Sequence, residues 1–462
     1  MRVITDNLAC QNTAAAAVAA GLGGALALYA LYVFTGSRKG TSKLTSKLHS
    51  LPSHSAVLGD LLEFARNAPR LHEWIAETSL AFGGEPWRIH LPGIKTLVVV
   101  TSPVLIEDVL TTQFDTFPHG DRVNELMMDL LGTAIVTSDG ERWYHQRKAA
   151  AKFFTARSLQ AVPWFYWKLQ RWLNVGSERV LADAMKNVHA WLDKVVEQSL
   201  SVAAAHQAQA RHKSQTNEMN DEVKSVVELF LEQSGDDKAG LQAADLKDFI
   251  LTFVLGARGT SAAALAWAFL MLTRHPEVEQ RIRDEMAEQL PEVMTDDESY
   301  VTSEDIRKLV YLEATIKEVV RLYPTVPMNR RQAMTDTVIG DGIPIQKGDY
   351  ILLHPYAMAR LPNLWGPDAA EFKPERWIDP TTGELLTVPS SKFSAFSSGP
   401  RICIGMRLAM LELRVVTANL LKRYRFALAE PNDGSHVVSI ELMLANPLIM
   451  TATRTKQDAS RT

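Results

Sequence analysis

The densest chemistry in the chain surrounds one thiol. The segment Phe396-Ser-Ser-Gly399-Pro-Arg401-Ile-Cys403-Ile-Gly405 precedes a run, 406–421, whose apolar spacing predicts a helix. Cys403 is therefore expected at a helix start, where the macrodipole and free backbone N–H groups favour an anion. The thiol would ionise there and serve as a soft metal ligand. Gly399 is expected to take a positive φ in the turn, and Gly405 to let the helix backbone lie close against a flat ring. Arg401 can pair with a carboxylate on such a ring. Phe396 would pack beside the sulfur and keep water away, tuning the redox potential of a metal there. A lone cysteine is more often a small buried hydrophobe. Five specified positions in ten residues, at about one in twenty each, should arise by chance in such a chain only on the order of once in ten thousand. That favours the ligand.

A second group of residues surrounds this loop in sequence. Glu318 and Arg321 are three apart in a helical stretch and share a face, which alone indicates no more than an exposed ion pair. Pro374-Glu375-Arg376-Trp377 follows downstream. Trp143 and Arg147, four apart in a helical run, point the same way. The helical stretch 243–273 carries Gly256-Ala257-Arg258-Gly259-Thr260-Ser261. A mid-helix threonine ordinarily hydrogen-bonds back to its own helix.

The cysteine loop resembles the cytochrome P450 haem signature at every fixed position, and similarity to that family runs from Trp87 to about Leu444. The resemblance implies a mainly α fold with small β-sheets and haem b held by the Cys403 thiolate. Phe396, Gly399, Arg401 and Gly405 would form the cofactor loop, and Trp143 with Arg147 would bind propionate. Glu318, Arg321 and Arg376 would form a buried charge triad with a structural role. Tyr356-Ala-Met-Ala-Arg360 and Trp365-Gly366 resemble the family's segment between the two ion-pair motifs. Thr260 would be the distal hydroxyl that helps deliver protons to bound dioxygen. NADPH electrons would arrive through a partner reductase, and the substrate would be an apolar small molecule. The Arg258 stretch and Tyr323-Pro324-Thr-Val-Pro327-Met-Asn329-Arg330 most resemble the fatty-acid ω-hydroxylase branch. Two departures stand out. Gly259 occupies a position that is usually acidic, and only 117 positions separate Trp143 from Thr260. Phe154 runs almost directly into the helix at Trp164, as if a block of helices had been excised. A haem-binding protein without turnover is the alternative these departures raise.

The elements that must position these residues are mostly helical. Apolar residues recur at three- and four-residue spacing over 164–199, 243–273, 276–290 and 304–323, with Pro276 opening the third and Thr302/Asp305 resembling a capping box before the fourth. The β-branched run 87–101, interrupted by Pro92-Gly93, predicts a hairpin, while 205–222 and the acidic 291–300 read as surface loops. The 462 residues, 46% hydrophobic, suffice for a large core, and a net charge of −4 argues against nucleic-acid binding. Cys10 and Cys403 are too far apart in sequence and context to suggest a disulfide framework. Residues 7–37 carry no charge, and 14–34 are long enough to cross a bilayer. Residues 1–36 are thus expected as a membrane anchor and 37–462 as the catalytic domain. Arg38, Lys39, Lys43 and Lys47 place that domain on the cytosolic side, with the endoplasmic reticulum as the expected membrane and a plastid as the alternative. A cleaved targeting peptide would share this composition.

Overall fold

The computed structural model describes residues 48–120, 138–140, 143–144 and 243–455. The anchor segment, Arg147, the Phe154 to Trp164 interval, the 164–199 stretch and the 205–222 loop lie outside these. Among the described residues, no helix is long and apolar enough to cross a membrane.

The described strands are β1 (His49–Ser50), β2 (Trp87–Ile89), β3 (Leu97–Val100), β4 (Asn329–Gln332), β5 (Thr337–Ile339), β6 (Ile343–Ile345), β7 (Tyr350–Leu353), β8 (Tyr424–Leu428) and β9 (Met450–Arg454). Five of them form one sheet in the order β1-β2-β3-β7-β4, while β5-β6 and β8-β9 are two-stranded. The expected hairpin is present as antiparallel β2 and β3, with Trp87 opposite Val99. Its turn is closed by the Ile94 N–H donating to Leu91 O at 3.1 Å, and Gly93 has φ +72°. β3 then pairs in parallel with β7, from Leu97 opposite Tyr350 to Val100 opposite Leu353.

Side chains alternate across a strand, so this sheet feeds two cores. Val98, Val100, Ile351 and Leu353 face one, built with Leu105, Ile106, Val109 and Leu110. Val99 and Leu352 face the other, which is mainly helical. The helices that matter here are α1 (Leu71–Ala81), α2 (Ala243–Arg274), α3 (Pro276–Gln289), α4 (Val310–Leu322) and α5 (Met406–Arg423). Trp267 and Leu270 of α2, Ile282 and Met286 of α3, Leu312 and Val319 of α4, and Leu413 and Leu421 of α5 meet in that core.

The expected helix over 304–323 divides. Thr302 and Asp305 do form a reciprocal box: the Thr302 N–H donates to Asp305 Oδ2 at 3.0 Å, and the Asp305 N–H to Thr302 Oγ1 at 3.3 Å. The box caps only a short 3-10 turn, Asp305–Lys308, and α4 restarts at Val310. The cap of α4 comes from α3. Glu285 accepts the N–H groups of Tyr311 at 2.6 Å and Leu312 at 3.0 Å, satisfying two otherwise orphaned donors. Burial raises the Glu285 pKa, against those same hydrogen bonds. The acidic 291–300 segment is not all loop, because Pro291 opens a short helix, Pro291–Thr295.

Three histidines tie distant parts of the chain together. His354, just past β7, accepts the Ala357 N–H on Nδ1 at 3.1 Å, so its proton must sit on Nε2. That nitrogen donates to Nδ1 of buried His72 in α1, 3.2 Å away. His436, from the C-terminal loop, lies 5.7 Å from the His72 ring and 3.3 Å from Glu73.

Candidate functional site

The cysteine loop is the first part of the site. Cys403 is half-buried and forms no disulfide. It precedes α5 by a turn instead of lying in its first turn, because Gly405, at φ −82° and ψ −4°, is the helix N-cap. The Cys403 N–H donates to Phe396 O at 2.7 Å, and its carbonyl faces the Met406 N–H at 3.4 Å. Phe396 meets Phe393 edge-on at 6.2 Å. Gly399 has the expected positive φ, +66°, and a further reason to be glycine: a Cβ would fall 2.2 Å from the Leu110 carbonyl oxygen. The loop is thus pressed against the turn Asp108–Thr112. Ser397 escaped the sequence reasoning. It has φ +65° and ψ −170°, a region that is nearly glycine-only, and its hydroxyl is buried with no hydrogen-bond partner.

Behind the loop lies a cluster of buried cations. Arg401 hydrogen-bonds His119 Nδ1 at 3.0 Å and Ser138 O at 3.0 Å, and pairs with the Asp139 carboxylate. A guanidinium only donates, so His119 Nδ1 accepts and that ring's proton is on Nε2. Burial, then Arg331 and Arg401, hold the His119 pKa well below the ordinary range, so the ring is neutral. The buried Trp143 lies under Arg401, 4.4 Å from guanidinium carbon to ring centroid. Arg331, on β4, is 2% exposed and donates through Nη1 to Asn329 Oδ1 at 2.7 Å and Arg330 O at 2.9 Å. Burial, then Arg401, press its pKa down to about 9, with Asp139 acting the other way. Among the described residues, Asp139 is the carboxylate near both guanidiniums. Arginines gathered in this way can also hold the carboxylates of a bound group. His119, Arg331 and Asp139 were not singled out from sequence.

The helical ion pair is buried, not a surface pair. Glu318 is fully buried and binds Arg321 through two bonds, from Nε at 2.7 Å and Nη2 at 2.8 Å. Arg376 reaches Glu318 at 3.4 Å, which assembles the expected three, but its better partner is Asp368 at 2.9 Å. Asp368 is held well below the usual carboxylate range by Lys373 and Arg376. Trp377 Nε1 at 2.9 Å and the Lys373 N–H at 3.0 Å complete the Glu318 shell. The network clamps α4 to the segment that leads toward the cysteine loop.

Thr260 lies on α2, half-buried, with its hydroxyl donating to Gly256 O at 2.6 Å, the ordinary back-bond of a mid-helix threonine. Its lone pairs remain to accept. The next residue, Ser261, donates to Glu412 Oε2 of α5 at 2.9 Å and ties the central helix to the helix after the cysteine loop.

A family model described as Cytochrome P450 matches residues 161–449. The chain is 27% identical to "Cytochrome P450 94B1" of Arabidopsis thaliana, over 88% of this chain and 91% of that protein. It is 27% identical to "Cytochrome P450 704C1" of Pinus taeda, over 80% and 86%. Similarity to "Cytochrome P450 monooxygenase cyp1" of Mycosarcoma maydis is 26% identity over 83% of this chain and 70% of that protein. The first of these alignments runs to 491 positions, more than this whole chain contains, so the relative carries residues that this chain lacks within the shared stretch.

Proposed function

The chain belongs to the cytochrome P450 family and is a monooxygenase, and from that premise we propose that Cys403 is the thiolate ligand of its haem and that its substrate is a fatty acid or related lipid. The observation that carries the ligand assignment is the join between a half-buried thiol, set in a glycine turn before α5, and the cation cluster behind it. The residues fit haem: the Cys403 thiol for the iron, and the buried donors Arg331, Arg401 and His119 for the ring's carboxylates. When bound, haem supplies the activation of O2, with electrons originating in NADPH and passed on by a partner reductase.

The chain's own residues set the conditions for that chemistry. The Phe396 carbonyl fixes the cysteine backbone, and Gly399 lets the loop lie against Leu110. Arg331, Arg401 and the neutral His119 would hold the carboxylates, with Trp143 supporting Arg401 and Arg147 joining them. Thr260 would move a proton at Oγ1 by rotating away from Gly256 O, while its lone pairs accept from water. The lipid assignment is supported by the Arg258 and 323–330 segments and by the uncharged 7–37 stretch, which would anchor the enzyme in the endoplasmic reticulum with its catalytic domain in the cytosol.

The decisive experiment is NADPH consumption by the reductase-reconstituted protein with a long-chain fatty acid. Consumption coupled to a hydroxylated product is expected. Full haem content with no coupled product would favour the non-turnover alternative, which Gly259 and the engaged Thr260 hydroxyl motivate.

A further inference from the structure

The central helix α2 is locally weak where it carries Thr260. Gly256 and Gly259 lie in the turn before that residue, and glycine weakens a helix interior. The Thr260 hydroxyl, donating to the Gly256 carbonyl at 2.6 Å, competes for that acceptor, and back-bonds of this kind bend helices. Such a turn keeps its place only if something beside it is fastened to the rest of the molecule.

Ser261 is the fastening. It is 7% exposed, and its Oγ donates to Glu412 Oε2 of α5 at 2.9 Å. α5 starts directly after the cysteine loop, with Gly405 as its N-cap. From Thr260 to Cys403 the path is therefore one peptide bond, one hydrogen bond, and the nine positions from Glu412 back to the cysteine. Farther along α2, Trp267 Nε1 donates to Leu442 O at 2.7 Å and Arg274 Nη2 to Asn432 O at 2.9 Å. Those bonds fix the far end of α2 to the C-terminal loop, not the Thr260 turn to α5.

We propose that Ser261 is a positioning residue for the monooxygenase reaction: its hydrogen bond to Glu412 sets how far the Thr260 hydroxyl stands from the iron held by Cys403. The proposal rests on the reading that Thr260 and Cys403 serve one haem. With the turn in place, two electrons from NADPH and two protons divide O2 between a hydroxylated product and water. With the turn displaced, the same electrons and protons leave with both oxygen atoms as H2O2.

The test compares the full chain with two variants that remove the bond, Ser261→Ala and Glu412→Leu, and two that keep it, Ser261→Thr and Glu412→Gln. Amide exchange at residues 260–264 should accelerate about fivefold in the first two, the population shift that one ordinary hydrogen bond supports, and stay at the wild-type rate in the others. In the haem-loaded, reduced proteins, the infrared stretch of bound carbon monoxide senses the groups that face the iron. That band should shift or split in the first two variants and return in the others, and the fraction of NADPH electrons recovered as H2O2 should follow it. A purely structural role would lower the thermal midpoint and leave the stretch unmoved. That result, or unaccelerated exchange, would overturn the proposal. Should Ser261→Ala fail to fold, Glu412→Leu carries the same expectation. A wild-type protein without the thiolate band would remove Cys403 as ligand and this proposal with it, whereas an intact band with an unmoved stretch removes only the role of Ser261.

Discussion

Cys403 carries the heaviest chemical assignment. The reduced protein with carbon monoxide should absorb at the long wavelength peculiar to thiolate-ligated haem, and Cys403→Ser should lose that band. A serine variant that keeps both haem and the band would overturn the ligand assignment. Six residues earlier, Ser397 holds its backbone in a region nearly reserved for glycine, beside a carbonyl that binds the cysteine N–H. Strain of this kind costs of order 1–3 kcal/mol. Ser397→Gly should therefore raise stability by about 1 kcal/mol, read as a shift in the urea midpoint at unchanged slope. An unchanged or lower midpoint would mean the surroundings do not strain the serine. Residue types and spacing made Cys403, Gly399 and Arg401 legible in the sequence. Arg331 was not, because an arginine in a short strand reads as solvent-facing until the neighbouring strand covers it. Its signal was the alternation of β4, which puts Arg331 directly opposite the fully buried Ile351.

Among the elements, local signals were readable and tertiary ones were not. Pro276 opened α3 as its position predicts, and the Thr302/Asp305 box formed with the expected partners. Its reach was overestimated, because the donor groups at the start of α4 are capped by Glu285, whose side chain comes from another helix. No window of local sequence contains both partners. Glu285→Ala should lower unfolding free energy by about 1–2 kcal/mol, the usual size of a lost helix cap. Hydrogen exchange should then accelerate first at Tyr311 and Leu312. Exchange that accelerates evenly along α4 would assign Glu285 a general packing role instead. The same limit applied to the Glu318–Arg321 pair. Its spacing was visible, but its burial depended on Asp368, Arg376 and Trp377 closing over it.

At the scale of the whole molecule, the histidine contacts join α1, the end of β7 and the C-terminal loop. Burial, followed by His436 and Arg360, lowers the His72 pKa to about 4. Unfolded, the same ring takes a proton near pH 6.5. The unfolded state therefore gains protons first on acidification, and stability should fall from about pH 6.5 to about pH 4 and then level off. The loss attributable to His72 is roughly 3 kcal/mol. His72→Leu should flatten the urea midpoint against pH across that window, and an equally steep profile in the variant would remove His72 from the account. The central sheet joins strands still farther apart in the chain. β3 and β7 pair in parallel although Val100 and Tyr350 are 250 positions apart in sequence. A ribosome adding about 5–20 residues per second takes roughly 10–50 s to cover that gap. During that interval the edge of the nascent β2-β3 hairpin that β7 will occupy stays open, although Leu105, Ile106, Val109 and Leu110 are already made and can cover Val98 and Val100. The molecule's most exposed moment thus falls during its own synthesis, when chaperones attending the emerging chain have half a sheet to shield.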